Sequence, residues 1–150
     1  MKPRLEVISS FRYTGRLYEK MFEGIRARYS VTQMEINVLA FLKNNPPFDT
    51  ASDIVSYRQL SKANVSQAVE LLVQKKMLVR RSDKTDRRKI HLELLPESAE
   101  LLEEILAAQK QFDERMFRGI LPEHRRIFTE TMLQISKNVL EELKEDKDAE

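Results

Sequence analysis

Cysteine and tryptophan are absent from the 150 residues, glycine occurs three times and proline five times. Without cysteine there is no disulfide framework, no thiolate metal site and no thiol-based redox sensing. So few glycines and prolines cannot supply the tight turns that an all-β fold needs. No apolar run approaches the roughly 18–20 residues that span a bilayer. Residues 1–8 (MKPRLEVI) lack the apolar stretch and small-residue cleavage site of a secretory leader. A cytoplasmic protein with no membrane role is therefore the expectation. What is abundant is helix-forming material, 41% hydrophobic and 33% charged, enough for one core with much solvated helical surface.

The formal charge of +2 conceals an uneven distribution. Residues 50–95 carry ten Lys/Arg against five Asp/Glu, residues 96–150 carry eight against fourteen, and residues 1–49 come to a net +3. A basic middle before an acidic end is what results if only the middle meets a polyanion. Taken alone, the same pattern also fits ordinary solvated faces.

Apolar spacing divides the chain. Val7, Phe11, Tyr18, Met21 and Ile25 predict one helix over 7–27, with a stripe wide enough to bury against something outside a compact middle. Thr32 and Glu35 form a T-x-x-E capping box with Val31 as staple, opening a helix that Asn44-Asn45-Pro46-Pro47 ends. Thr50 can cap a short helix over 51–58. Ser61 can cap another, to about Lys75, whose buried stripe is Val65, Ala68, Val69, Leu72 and Val73. Two helices joined so tightly make a helix-turn-helix. The period then drops to two: Leu78–Ser82 and Lys89–Leu94 read as a hairpin around the charged tip Asp83-Lys84-Thr85-Asp86-Arg87-Arg88. Pro96 starts a long helix through Leu101, Ile105, Phe112 and Met116 to Ile120. After Leu121-Pro122, a last one spans 123–143, and the tail from Lys144 is expected to fray.

The fold class is thus mostly α with a small β-wing: a winged helix-turn-helix over 30–95, with helical dimerisation segments at 1–29 and 96–150. The major groove of DNA admits one helix, and a hairpin beside it can lay cations on the neighbouring minor groove or backbone. The candidate reading groups are Ser61, Lys62, Asn64, Ser66 and Gln67 on the helix. Asn and Gln can pair bidentately with adenine, and Ser and Lys suit phosphate or base edges. The wing adds Arg80, Arg81, Lys84, Arg87, Arg88 and Lys89. An ordinary solvated helix side is the competing reading.

The run Asp53–Ser66, continuing through Leu71–Val79, resembles the reading head of MarR-type regulators. The tip is similar to that family's D-x-x-D-R-R pattern at the expected distance behind the recognition helix. The resemblance implies a homodimer in which the first, fifth and sixth helices interlock, a palindromic double-stranded DNA operator, and a crevice for a small aromatic or lipophilic effector. It implies that Arg87 enters the minor groove while Asp86 and Arg88 brace the wing and touch phosphate. Phe11, Tyr18 and Phe22 are the candidate effector-lining residues, with core or dimer packing as the plainer reading of each. Some positions depart from the family: Met77 stands where glycine is usual, so the recognition helix is expected to end without a left-handed cap. Gln59, Gln67 and Thr85 also differ. The missing cysteine excludes the peroxide-sensing branch.

No catalytic role emerges. His91 and His124 are isolated, His91 being expected on the open face of the wing, and neither suggests a metal site. The carboxylates of 97–104 and 141–150 read as solvated helix faces, and neither G-x-x-x-x-G-K nor G-x-S-x-G occurs. No cofactor is implied. The alternative to a DNA-binding regulator, taken to be a repressor, is a winged-helix protein–protein adaptor or anti-repressor.

Overall fold

The structure, a computed structural model, describes residues 3–148, with side chains from Glu6 to Leu143. Its internal contacts divide it after Phe112 into two compact units. The first holds α1 (Pro3–Met21), α2 (Glu23–Tyr29), α3 (Gln33–Asn44), α4 (Ala51–Arg58), α5 (Lys62–Gln74), β1 (Leu78–Ser82), β2 (Ile90–Leu94), a short 3-10 turn at Pro96–Ser98, and most of α6 (Ala99–Met116). The second holds the end of α6 and α7 (Pro122–Asp148). The expected winged helix is present: α4 and α5 are joined by a three-residue turn, and β1 pairs antiparallel with β2 from Leu78↔Leu94 to Ser82↔Ile90.

Local chemistry explains where the helices of the head begin. Thr32 Oγ1 accepts from the Glu35 N–H while a Glu35 carboxylate oxygen accepts from the Thr32 N–H at 2.7 Å. Thr50 and Asp53 form the same reciprocal box at the start of α4. Ser61 Oγ accepts from the Asn64 N–H and so opens α5. Each box satisfies two backbone donors that a bare helix end leaves without partners. Inside, α3 is buried on nearly all sides, with Ile36, Val38 and Leu39 fully enclosed against Ile54 of α4, Leu72 of α5 and Leu78 of β1.

A charge lies within this core. Glu35 is completely buried. Its Oε1 accepts from Lys75 Nζ at 2.6 Å, and the same ammonium donates to the Ser30 carbonyl at 2.7 Å. One pair thereby joins the end of α2, the start of α3 and the end of α5. Nearby, Glu104 of α6 accepts from Arg28 and from the Tyr29 hydroxyl, at 2.6 and 2.9 Å. Burial and that carboxylate push the Tyr29 phenol up to about 12.

Three boundaries differ from the sequence expectation. The single helix over 7–27 is two, broken at Phe22, where φ is −101° and ψ 0°. The break turns Phe22 fully into the core, and the Glu19 carbonyl accepts from both the Phe22 N–H and the Arg26 guanidinium. The helix expected to reach Ile120 stops at Met116, and Gly119, at φ 79°, closes the turn that follows. The apolar pattern continues past the end because Phe117 packs edge-on against Phe128 under the Arg125 guanidinium. Finally, α7 continues as helix to Asp148, beyond the expected end at 143.

The expectation about the end of α5 is overturned. A left-handed cap is present, one residue before Met77: Lys76 has φ 58°, its N–H bonds the Val73 carbonyl, and the Met77 N–H reaches back to Leu72. This is a Schellman closure with lysine in the position that glycine fills most easily. Gln59 and Ser30 close α4 and α2 in the same conformation. Because the left-handed region crowds a Cβ, Lys76→Gly should stabilise the fold by about 0.5–1 kcal/mol. Thermal denaturation checks it; a lower Tm would mean that the lysine stem supplies packing that the exposed position does not suggest.

Candidate nucleic-acid interface

Helix α5 buries Val65, Ala68, Val69 and Leu72, which turns Ser61, Lys62, Asn64, Ser66 and Gln67 outward. All five are exposed, and among the described residues the side chains of Lys62, Asn64, Ser66 and Gln67 make no intramolecular hydrogen bond. Ser61 is committed to its cap through Oγ, leaving its hydroxyl proton to donate. These groups crowd the first turns of the helix, the end that reaches base edges when such a helix enters a groove.

The wing sorts its cations. On β1, Arg80 bonds Glu70 of α5 at 3.0 Å and Arg81 bonds Glu93 across the hairpin. Both are neutralised within the head. Lys84, Arg87, Arg88 and Lys89 at the tip are exposed and make no ion pair among the described residues. The reading of Arg80 as equivalent to the tip cations therefore needs revising: a phosphate would have to compete with Glu70 for it.

The two aspartates of the tip motif are its scaffold. Asp83 Oδ1 accepts from the Thr85 N–H at 2.8 Å, the Asp86 N–H at 2.9 Å and the Thr85 hydroxyl. Asp86 Oδ1 accepts from the Arg88 N–H at 3.0 Å, and the Lys89 N–H donates to the Asp86 carbonyl. These side chains replace a regular turn with two successive Asx turns and hold the Arg87-Arg88 backbone in a fixed loop. Thr85 is consumed in this network.

Beside the tip, Thr50, Ala51 and Ser52 at the start of α4 face Arg88, Lys89 and Ile90 across a crevice of about 390 Å³. The strand β2 is fastened to the same loop: the Leu92 N–H donates to the Asp49 carbonyl at 2.7 Å. His91 is not on an open face, as its alternation with Ile90 and Leu92 suggested. Its Nδ1 lies 2.7 Å from Asp49 Oδ1 and its Nε2 2.9 Å from Asp83 Oδ2.

Residues 29–89 match the family model of the MarR family. This segment, from the end of α2 through α5 and β1 to the wing tip, is similar to the MarR family. No curated protein matches the sequence. Solved structures of similar fold include a MarR-family transcriptional regulator from Silicibacter pomeroyi, 21% identical, with 85% of each chain covered and a TM-score of 0.74. BpsR of Bordetella bronchiseptica, whose DNA binding is regulated by 6-hydroxynicotinic acid, is 24% identical over 87% of this chain and 98% of its own, with a TM-score of 0.70. MepR of S. aureus, solved as a DNA complex, is 17% identical over 87% and 96%, with a TM-score of 0.72. At these identities the likeness is one of fold, and it extends the MarR-type architecture to the helices on both sides of the matched segment.

In this MarR-type frame the three aromatics proposed for an effector crevice separate. Phe22 is wholly enclosed in the core, which leaves it no surface to offer a ligand. Tyr18 packs tilted against Phe22 and edge-on against Phe112, at 4.8 and 5.2 Å, and its hydroxyl accepts from Gln109 at 3.1 Å. Phe11 is half exposed on α1. Sequence reasoning also missed Glu70, Glu93, Asp49 and the double engagement of His91. The Arg81–Glu93 pair had a signal, since the two sit diagonally on facing strands; Asp49 and His91, 42 residues apart, had none. No helix among the described residues is long and apolar enough to cross a membrane.

Proposed function

We propose that the chain is a dimeric, sequence-specific DNA-binding transcriptional regulator, acting as a repressor. The observation that carries this reading is the division of charge in the head. The arginines of β1 are paired internally, whereas Lys84, Arg87, Arg88 and Lys89 at the wing tip are exposed and make no ion pair among the described residues. Ser61, Lys62, Asn64, Ser66 and Gln67 would read the major groove. Arg87 would enter the adjacent minor groove, with Lys84 and Arg88 on phosphate and Arg80 joining once released from Glu70.

The segments 1–29 and 96–150 would form the dimer. On α7, Ile127, Phe128, Ile135, Val139 and Leu143 recur at helical spacing and are each 42–53% exposed. On α1, Val7, Ile8 and Phe11 are at least half exposed. A monomer gains nothing from such stripes, whereas a second copy buries them. Two heads held about 34–36 Å apart would meet successive major-groove faces of a palindrome. A small aromatic or lipophilic ligand that binds better to a dimer of unsuitable head spacing would release the DNA by linkage. The regulation of BpsR by 6-hydroxynicotinic acid is the support for that step.

Selection from random duplexes should return a two-fold symmetric sequence. On the selected site, Arg87→Ala should cost on the order of 1–3 kcal/mol, about five- to 150-fold in affinity. Asn64→Ala should relax the base preference more than it weakens random-duplex binding. Failure to enrich any sequence, with unchanged binding by Arg87→Ala, would favour the adaptor reading.

A further inference from the structure

The wing tip and the start of α4 are joined through one imidazole, and its bonding requires a proton. His91 Nδ1 faces Asp49 Oδ1 at 2.7 Å and His91 Nε2 faces Asp83 Oδ2 at 2.9 Å. An ionised carboxylate only accepts, so both ring nitrogens must donate, and only the imidazolium carries two N–H groups. A neutral ring would turn a lone pair toward one carboxylate at hydrogen-bond distance.

Each carboxylate controls a different part of the head. Asp83 folds the tip through its other oxygen, which holds Thr85 and Asp86. Asp49 precedes the Thr50 cap of α4, and its carbonyl holds the Leu92 N–H. The remaining charges around the ring are few. Opposite it on β1, Arg81 is taken up by Glu93; Lys84 lines the same 620 Å³ hollow from the tip; Lys89 precedes it on the hairpin. Two carboxylates at contact outweigh these cations. Asp83 and then Asp49 raise the His91 pKa above its ordinary 6.5, against desolvation and Lys89. His91 first, then the Asp86 and Thr85 N–H groups, hold Asp83 well below the usual carboxylate range.

We propose that His91 is a proton-dependent positioning residue, which in its doubly protonated form fixes the wing tip against the helix-turn-helix and thereby makes DNA affinity fall with rising pH. This rests on the DNA-binding reading above. Because the folded-state pKa is raised, the fastening is fully present below about pH 6.5 and is lost as pH rises through the higher folded value. The hairpin itself persists, since its backbone ladder and the Asp83–Thr85–Asp86 turn do not need the proton. What loosens is the placement of Arg87 and Arg88.

The protein has two histidines, so the spectrum of His124→Gln assigns the His91 signals. In nitrogen-detected imidazole spectra of the full-length protein, His91 should titrate above the ordinary histidine value of about 6.5, with both nitrogens protonated below its titration point. Asp83→Asn should lower its titration point, because the amide nitrogen that replaces the carboxylate oxygen can donate to a neutral Nε2. Affinity for a random-sequence duplex at constant ionic strength should weaken about three- to tenfold from about pH 6.5 to about pH 9, the loss of one charge-assisted hydrogen bond. His91→Gln and Asp83→Asn should each flatten that slope, and His124→Gln should keep it. His91 titrating at or below about 6.5 overturns the proposal. So does a slope that survives in His91→Gln. Absence of duplex binding at every pH would instead overturn the DNA-binding reading, and the imidazole titration would still decide whether the fastening exists.

Discussion

Lys75→Met is expected to lower stability by roughly 2–4 kcal/mol, a Tm drop on the order of 5–15 °C for a chain of this size. Lys75 is the charged partner of Glu35, whose side chain is completely excluded from water. Removing the ammonium while keeping the carboxylate leaves a buried charge with only the Thr32 N–H to solvate it. The Lys75 side chain is 31% exposed, so water can partly replace it, which places the effect at the lower part of the range for broken buried pairs. The double variant Glu35→Gln/Lys75→Met should recover part of the loss, since a neutral amide can still accept from Thr32 without requiring a counter-charge. Thermal or urea unfolding of the four proteins of this cycle provides the measurement. A single variant as stable as the wild type would mean that the pair does not hold the three helices together.

Charging the exposed stripe of α7 should have the second large effect. Five large apolar side chains of one face, each about half exposed, would contribute roughly 4–7 kcal/mol per protomer if a second copy covered them. Ile135→Asp with Val139→Asp would place four carboxylates in the two-fold interface. Unpaired buried charges cost several kcal/mol each, so the dimer should weaken by at least about a thousandfold. Light scattering coupled to size-exclusion chromatography at micromolar concentration should then report a monomer, and Tm should cease to depend on protein concentration. A dimer of unchanged mass would remove α7 from the proposed interface.

The sequence was most legible where structure is decided within four residues. The Thr32–Glu35 box, the Thr50 and Ser61 caps and the Val65–Leu72 stripe all follow from local spacing, and the hairpin follows from a change of period. Features made by distant partners were not legible. Glu35 reads as a capping residue, and nothing local announces Lys75, 40 positions away, as its counter-charge. His91 alternates as an outward strand residue should, yet Asp49 and Asp83 capture it. The one-residue break at Phe22 escapes a periodicity argument because the apolar stripe continues across it. The helix end at Met116 is similarly masked by Phe117, which is apolar for its contact with Phe128 on α7. The cap at Lys76 was missed for another reason: glycine is only the easiest residue to place at positive φ, and the Schellman bonds of residues 72–77 hold a lysine there.

The motif at the tip was readable as a pattern but not as a mechanism. Asp86 was expected to brace the wing, and its Oδ1 holds the Arg88 N–H; nothing local announced that Asp83 Oδ1 folds the same loop, which presents Arg87 and Arg88. Likewise, ten basic residues between 50 and 95 gave a net charge without revealing which were free. The pairs with Glu70 and Glu93 remove Arg80 and Arg81 from that number and leave the four tip cations without an ion pair among the described residues.

That distinction is open to one direct measurement, the dependence of random-duplex affinity on salt. Lys62, Lys84, Arg87, Arg88 and Lys89 are exposed and make no ion pair among the described residues, so a plot of log K against log salt should have a slope near −4 to −5 for one engaged head and about twice that for two. Arg87→Ala/Arg88→Ala should make it shallower by about 2 per head. A slope near zero, unchanged in that variant, would contradict the assignment of this surface to DNA.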